Sequence, residues 1–255
     1  PRELHFNKTE QKFLDAKIKE LISKQVITEC DHDPVEFISP IFLRPKKEKN
    51  SYRIILDLSS LNEHITYHHF KMDSLASALS LVTPGAYMAS LDIQDSYFHV
   101  KMSQDSTKFL KFVYNDKLYK FLVLPQGLSS SPRIFTKLMK IPFAFLRKEF
   151  GLLSSPYIDD VFLCGDTYVE AKRNVFHSAR VLQKLGYSFN LPKSEPEPTQ
   201  EREHVGFIIN SVTMKVTMNP SKIADIVQLS KKVIKHNEIR IRKFAKLIGK
   251  YVATY

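Results

Sequence analysis

Three aspartates stand out by residue type and by setting. Asp159 and Asp160 are adjacent at the turn of a short apolar hairpin, Ser155-Pro-Tyr-Ile-Asp-Asp-Val-Phe-Leu-Cys164, and Asp92 lies near the end of a separate apolar run, Ala86–Ile93. Carboxylates in apolar surroundings repel one another and lose hydration unless a cation neutralises them. An oxygen-only donor set of this kind suits Mg²⁺, which keeps water and phosphate oxygens as its remaining ligands. Three carboxylates can hold two such ions about 4 Å apart, an arrangement that serves in-line displacement at phosphorus. The competing reading is a plain Asp-Asp turn, favoured for turn chemistry alone. The apolar flanks and the third aspartate weigh against it. The nine histidines show no ligand spacing, and Cys30-Asp-His32 is too short for a zinc box.

The elements that must carry these groups are readable from periodicity. Residues 8–25 read as a helix, with Leu14, Ile18, Leu21 and Ile22 on one face and Asn7 with Glu10 resembling a capping box. Strands follow at Pro40–Leu43 and Tyr52–Leu58, separated by the lysine-rich Arg44–Ser51, and Asp73 reads as the N-cap of a short helix ending near Pro84-Gly85. Ala86–Ile93 reads as a buried strand. Phe109–Tyr114 and Lys117–Leu124 flank Asn115-Asp116, a hairpin signal. A helix is expected over Ser131–Phe150, started by Pro132 and containing Pro142, and another over Thr167–Leu185, closed by Gly186. Between them Ser155–Tyr157 and Val161–Cys164 read as two short strands. Tyr187–Asn190, Val205–Ile209 and Met214–Met218 read as strands, the last two paired, and Pro192, Pro196 and Pro198 mark a loop. Helices at about 221–235 and 240–254 end the sequence. Strands mixed with helices in no regular βαβ order predict an α+β fold.

Composition narrows the class of function. The 255 residues are 43% hydrophobic and 25% charged, as expected of a globular chain with ample core. No uncharged apolar run approaches a membrane span, and PRELHFNKTEQ has neither the basic n-region nor the apolar h-region of a signal peptide. Two cysteines make no disulfide framework, so an intracellular rather than secreted protein is expected. The net charge is +11, and from Ser221 to Tyr255 nine Lys or Arg face only Asp225 and Glu238, a surplus of seven. A basic end on a nearly balanced body points to nucleic acid or to a solvated helix face.

The motifs together resemble the reverse transcriptase family. Tyr157-Ile-Asp-Asp160 matches its Tyr-x-Asp-Asp box, Leu91-Asp-Ile-Gln-Asp-Ser-Tyr-Phe98 its first carboxylate box, and Leu124-Pro-Gln-Gly-Leu-Ser-Ser-Ser-Pro132 its Leu-Pro-Gln-Gly box. Lys46-Lys47…Tyr52-Arg53…Asp57-Leu58…Leu61-Asn62 resembles the fingers of such enzymes; Leu185-Gly-Tyr…Lys193 and Val205-Gly-Phe-Ile-Ile-Asn210 resemble the last two palm motifs. The boxes run in family order from about residue 26 to 218. Within the family, Val205–Ser211 with Met214-Lys-Val216 and Lys222 looks most like retrotransposons of the tyrosine-recombinase, DIRS-like type.

The resemblance implies a right-hand polymerase: fingers over residues 1–85, palm over 86–218 with a fingers insertion at about 100–125, and the start of a helical thumb over 219–255. It implies an RNA-directed DNA polymerase, with Asp92, Asp159 and Asp160 as catalytic metal ligands and the Ile93 carbonyl as a further one. The cofactor would be two Mg²⁺ ions, with Mn²⁺ an alternative. Lys46, Arg53, Asp95, Ser96, Tyr97, Gln126 and Lys193 would bind the deoxynucleotide, Tyr97 by excluding a 2′-hydroxyl. Lys47 or Lys49 could replace Lys46, and Lys193 could be a plain solvated lysine. Ser96 stands where Ala is more usual, and Gln94 where a basic residue is common. Tyr157, Gly127, Phe207, Met214 and Lys243 would touch primer and template, although alternation at 207–218 also describes a core hairpin. The implied partners are a template-primer duplex, deoxynucleotides, and ribonuclease H, recombinase or integrase regions of a polyprotein, with no membrane. The rival is a nucleic-acid-binding remnant that no longer polymerises; loss of an aspartate or of Arg53 would mark it, and none is lost.

Overall fold

A computed structural model describes residues 6–45, 52–235 and 239–253. Helix α1 (Lys8–Ser23) begins at Asn7, whose side chain accepts the N–H groups of Thr9 and Glu10 while Glu10 closes the capping box. Strands β1 (Ile27–Glu29), β2 (Ile41–Pro45) and β3 (Tyr52–Leu56) precede the short helices α2 (Ser59–Asn62) and α3 (Leu75–Leu79). Then come β4 (Tyr87–Asp92), a 3-10 turn (Ser96–His99), α4 (Gln104–Thr107), β5 (Lys111–Tyr114), β6 (Lys117–Phe121) and α5 (Ser131–Phe150). β7 (Leu153–Tyr157), β8 (Asp160–Gly165), α6 (Tyr168–Lys184), β9 (Glu195–Thr199), β10 (Glu201–His204), β11 (Phe207–Asn210) and β12 (Lys215–Met218) lead to the terminal helices α7 (Pro220–Ile234) and α8 (Ile241–Val252).

The central sheet has the order β7-β8-β4-β9, with every pairing antiparallel. Its strands obey the period of two: Ala89, Leu91, Val161 and Leu163 meet Phe135, Met139 and Phe143 of α5 on one face, while Met88, Phe162 and Cys164 meet Ala78 on the other. A side chain such as Phe135, fully buried, contributes about 1.5–3 kcal/mol through lost contact with water. A second core joins α1 to the sheet β1-β6-β5 and to β2-β3, through Leu14, Ile18, Ile27, Leu56, Phe112 and Phe121. The remaining sheet, β10-β11-β12, lies beside β4, and the two terminal helices that follow it pack against each other. Among the described residues, no helix is long and apolar enough to cross a membrane.

Several sequence expectations need correction. The cap of α3 is Ser74, which forms the capping box with Ser77; Asp73 instead accepts a hydrogen bond from Ser155 Oγ at 3.2 Å. Tyr187–Asn190 is no strand, only a single bridge between Phe189 and Ile93. The expected proline loop holds the fourth strand of the central sheet, β9. It survives its prolines because it is an edge strand and meets β4 through a shifted register. The buried Arg202 guanidinium mends that irregularity by donating to the carbonyls of Met88 and Glu197 and pairing with Glu195. Strand β10, which sequence reading left as loop, turns Arg202 and His204 inward and Glu201 and Glu203 outward. Its alternation is real but polar on both faces, so a hydrophobic pattern could not find it. The strand expected from Val205 starts at Phe207, because Val205 and Gly206 form the β10–β11 turn with φ of +49° and +78°.

Candidate active site

The β4–β8 ladder sets Asp92 directly opposite Asp160, and the two-residue turn between Tyr157 and Asp160 carries Asp159. Backbone bonds fix this corner: the Ile93 N–H donates to the Asp159 carbonyl at 2.8 Å, and the Asn190 N–H to the Asp92 carbonyl at 2.9 Å. The Asp92 N–H donates to Ser194 Oγ at 2.9 Å. Ile158 takes φ +54° in the turn, a value that a β-branched side chain rarely tolerates.

The electrostatics follow from this crowding. Desolvation first, then the neighbouring charges of Asp159 and Asp160, push the Asp92 carboxyl above the usual aspartate range; Lys193 and a hydrogen bond from Asn190 oppose the rise. Asp159 is exposed as a residue, yet the protein around its carboxyl is enough that desolvation leads the upward shift, with Asp160 adding to it and Lys193 opposing it. Lys193 itself is exposed. Burial, with lesser help from Asp159 and Tyr157, pushes the Tyr97 phenol up to about 12, and its ring stands edge-on to Phe135 with centroids 5.6 Å apart. Asp92, Asp159, Asp160, Tyr157, Tyr97 and Lys193 therefore share one electrostatic neighbourhood.

The other predicted residues occupy varied settings. Asp95 is left-handed at φ +49° and meets Lys24 at 3.6 Å, while Ser96 is buried in the 3-10 turn. Ile93 is buried in the floor. Arg53 is exposed on β3 opposite Arg44, and Lys46, with Lys47 and Lys49, lies outside the described residues. Gln126 and Gly127 are exposed; Gly127 has φ +95°, and a Cβ there would stand 3.4 Å from the Leu56 carbonyl. Phe207 lies under the Lys222 ammonium at 5.2 Å, Met214 is exposed at φ +50°, and Lys243 is exposed on α8. Beside the turn, Ile158 lines a cleft of about 280 Å³ with Asp73, Lys140, Phe143 and Arg147.

Sequence reasoning missed four supports. Asn190 and Ser194 hold Asp92, and Asn62 holds the Gln126 loop, donating to the Gly127 carbonyl and accepting the Ser129 N–H. The fourth is His204, with Nδ1 3.2 Å from Asp160 Oδ2. Asn62 alone carried a signal, as part of the Leu61-Asn62 box.

Among the described residues, no three His, Cys, Asp or Glu side chains stand close enough together to hold a metal ion as they are placed. The carboxylates instead make an open oxygen donor set in which the charges of Asp159 and Asp160 raise Asp92 and that of Asp160 raises Asp159, a crowding that a cation would relieve. That chemistry fits a hard divalent ion completed by water and phosphate oxygens.

The architecture is that of a right-hand polymerase. Solved structures of a foamy viral protease-reverse transcriptase match it: the complex with dsDNA at TM-score 0.79 and 20% identity, covering 98% of this chain and 49% of that one, and the complex with RNA/DNA hybrid at 0.78 and 19%, covering 98% and 32%. The family described as "Reverse transcriptase (RNA-dependent DNA polymerase)" matches residues 44–209, and the chain belongs to that family. It is 26% identical over 220 residues to the retrovirus-related Pol polyprotein from transposon opus of Drosophila melanogaster, and 28% identical over 171 residues to the Pro-Pol polyprotein of Simian foamy virus type 1. These alignments cover 85% and 67% of this chain but only 21% and 14% of the polyproteins. Reverse transcriptases use divalent metal ions.

Proposed function

We propose that this chain is the polymerase module of a retroelement, extending a primer 3′-hydroxyl with deoxynucleotides on an RNA or DNA template. The observation that carries the reading is the β4–β8 register, with Asp92 opposite Asp160 and Asp159 on the adjoining turn. Asp92, Asp159 and Asp160, with the Ile93 carbonyl, hold two Mg²⁺ ions, replaceable by Mn²⁺. Bound there, the ions supply charge neutralisation at the phosphates and acidify the attacking hydroxyl.

The remaining residues bind and orient. Arg53 grips the triphosphate through its planar fork, and Lys46 and Lys193 add point charges. Asp95, Ser96 and Gln126 border the nucleotide. With its phenol at about 12, Tyr97 stays neutral at working pH, presents no negative charge to the triphosphate, and blocks a ribose 2′-hydroxyl by its bulk. Tyr157, Gly127, Phe207, Met214 and Lys243 guide the primer-template. Residues 1–85 act as fingers, 86–218 as palm with the insertion at about 100–125, and 219–255 as the beginning of a thumb. Lys and Arg of that last segment meet the duplex backbone without reading sequence, so affinity falls as salt rises. The pattern from Val205 to Lys222 supports a tyrosine-recombinase, DIRS-like element, with the chain working inside a cell beside ribonuclease H and recombinase or integrase regions.

The test is primer extension on poly(rA) with dTTP and Mg²⁺, run beside Asp159→Asn. Wild type is expected to extend and the variant not. Primer-template binding without extension by wild type would replace this reading with that of a binding remnant. Tyr97→Ala is expected to raise ribonucleotide incorporation, and unchanged sugar selection would remove Tyr97 from that role.

A further inference from the structure

His204 has a setting that packing alone does not explain. It is 1% exposed, and neither imidazole nitrogen has an aligned hydrogen-bond partner among the described residues. Its ring lies tilted against Phe162, with centroids 5.0 Å apart, an apolar neighbour that a phenylalanine would suit equally well. One polar group is close: Asp160 Oδ2, 3.2 Å from Nδ1. The histidine sits beside the Val205-Gly206 turn and opposite Phe207, at the seam between the C-terminal sheet and the central one. A buried polar atom without a good partner is uncommon and calls for an explanation.

We infer that His204 is a positioning residue for Asp160: its Nδ1 stands 3.2 Å from Oδ2, and a small tilt of the ring brings an Nδ1–H into line to donate and fix the rotation of that carboxylate. Asp160 needs such a partner because its side chain is 38% exposed at a strand end, where water competes for its oxygens. The imidazole is a rigid donor, held by Phe162 and by the β10–β11 pairing. The inference concerns orientation, not charge, and it rests on the reading of Asp160 as a metal ligand. Partners that orient a metal-binding carboxylate typically change metal affinity by 10–100-fold. Alternation in β10 explains why the residue is there: the strand turns inward at both Arg202 and His204, the first to mend the sheet edge and the second to reach Asp160.

The experiment compares His204→Phe, which keeps the ring and removes both nitrogens, with His204→Asn, which returns an amide N–H near the Nδ1 position. Mn²⁺ binding to the full chain is measured by water-proton relaxation, beside the Mg²⁺ requirement of primer extension and the melting temperature. The Phe variant is expected to bind Mn²⁺ about 10–100-fold more weakly with its melting temperature held, and the Asn variant to recover most of the loss. Wild-type Mn²⁺ affinity in the folded Phe variant would overturn the inference. Should that variant fail to fold, the ¹H–¹⁵N spectrum of wild type decides: a proton on Nδ1 of His204 supports the donor role, and a bare Nδ1 overturns it. Asp160→Asn separates the two readings. If it leaves Mn²⁺ binding intact, the metal site itself is misassigned and the inference falls with it. If it abolishes binding while His204→Phe does not, only the inference falls.

Discussion

Two hairpin turns of the same length, one between β5 and β6 and one between β7 and β8, have opposite characters. At the first, Asn115 and Asp116 take φ of +49° and +58°, and both are residue types that accept the left-handed region. At the second, Ile158 takes φ +54°, strain of about 1–3 kcal/mol for such a residue, and the next residue is a carboxylate whose pKa is raised by burial. The first turn is the one that local chemistry chooses. The second is held by its surroundings: the β7–β8 ladder on both sides and the α5-facing core against which Ile158 packs. Val205, at φ +49° beside His204, repeats the pattern. Strain and desolvation thus collect where a carboxylate has to be aimed.

The contrast can be broken at either turn. The largest expected effect is Asp159→Asn, a loss of about a thousandfold or more in primer-extension rate, because the proposed role of Asp159 is that of a metal ligand, a group that contributes several kcal/mol to the transition state. Ile158→Gly should come next. It relieves the strain but frees the turn, so extension falls about tenfold while the melting temperature stays within a few degrees of wild type. A full rate in that variant would show the strained turn to be incidental. At the other hairpin, Asn115→Ile imposes the strain that Ile158 bears, and should cost about 1–2 kcal/mol in urea unfolding with no change in extension rate.

A smaller effect concerns pH. Asp92 and Asp159 are raised in the folded chain, which holds their protons more tightly than the unfolded chain does. Their contribution to stability is therefore most favourable below the ordinary value of 3.8 and diminishes as pH rises through the raised values. Carboxylates with lowered pKa, such as Glu36 and Glu197, slope the other way, so the comparison must be by difference. Without divalent ions, Asp159→Asn should gain stability relative to wild type as pH climbs from about 4 to neutrality. A melting difference that is flat with pH would show Asp159 to be fully hydrated.

Much of this was legible because it is local. The capping box at Asn7, the Asn115-Asp116 hairpin and the span of α5 follow from short-range rules, and the ordered boxes pointed to Asp92, Asp159 and Asp160 as one group. What escaped depends on partners far along the chain. Ser194 lies 102 residues from the Asp92 it supports, and Asn62 lies 65 from Gly127. Strands β9 and β10 were hidden for a related reason. Their sequences, Glu-Pro-Glu-Pro-Thr and Glu-Arg-Glu-His, carry no apolar alternation, and they form strands because Arg202 completes the hydrogen bonding that a broken ladder lacks.

The prolines of β9 have a consequence for the company the chain keeps with its own copies. An open sheet exposes at its edge a row of backbone donors and acceptors, a template onto which another polypeptide can add a strand and begin an aggregate. Pro196 and Pro198 remove two donors from that border, and the ion pairs Glu195–Arg202 and Glu197–Lys172 line it with charged side chains. The margin of the central sheet is thereby a poor seed for cross-chain growth, a useful property for a segment that folds next to an apolar and strongly paired strand such as β4.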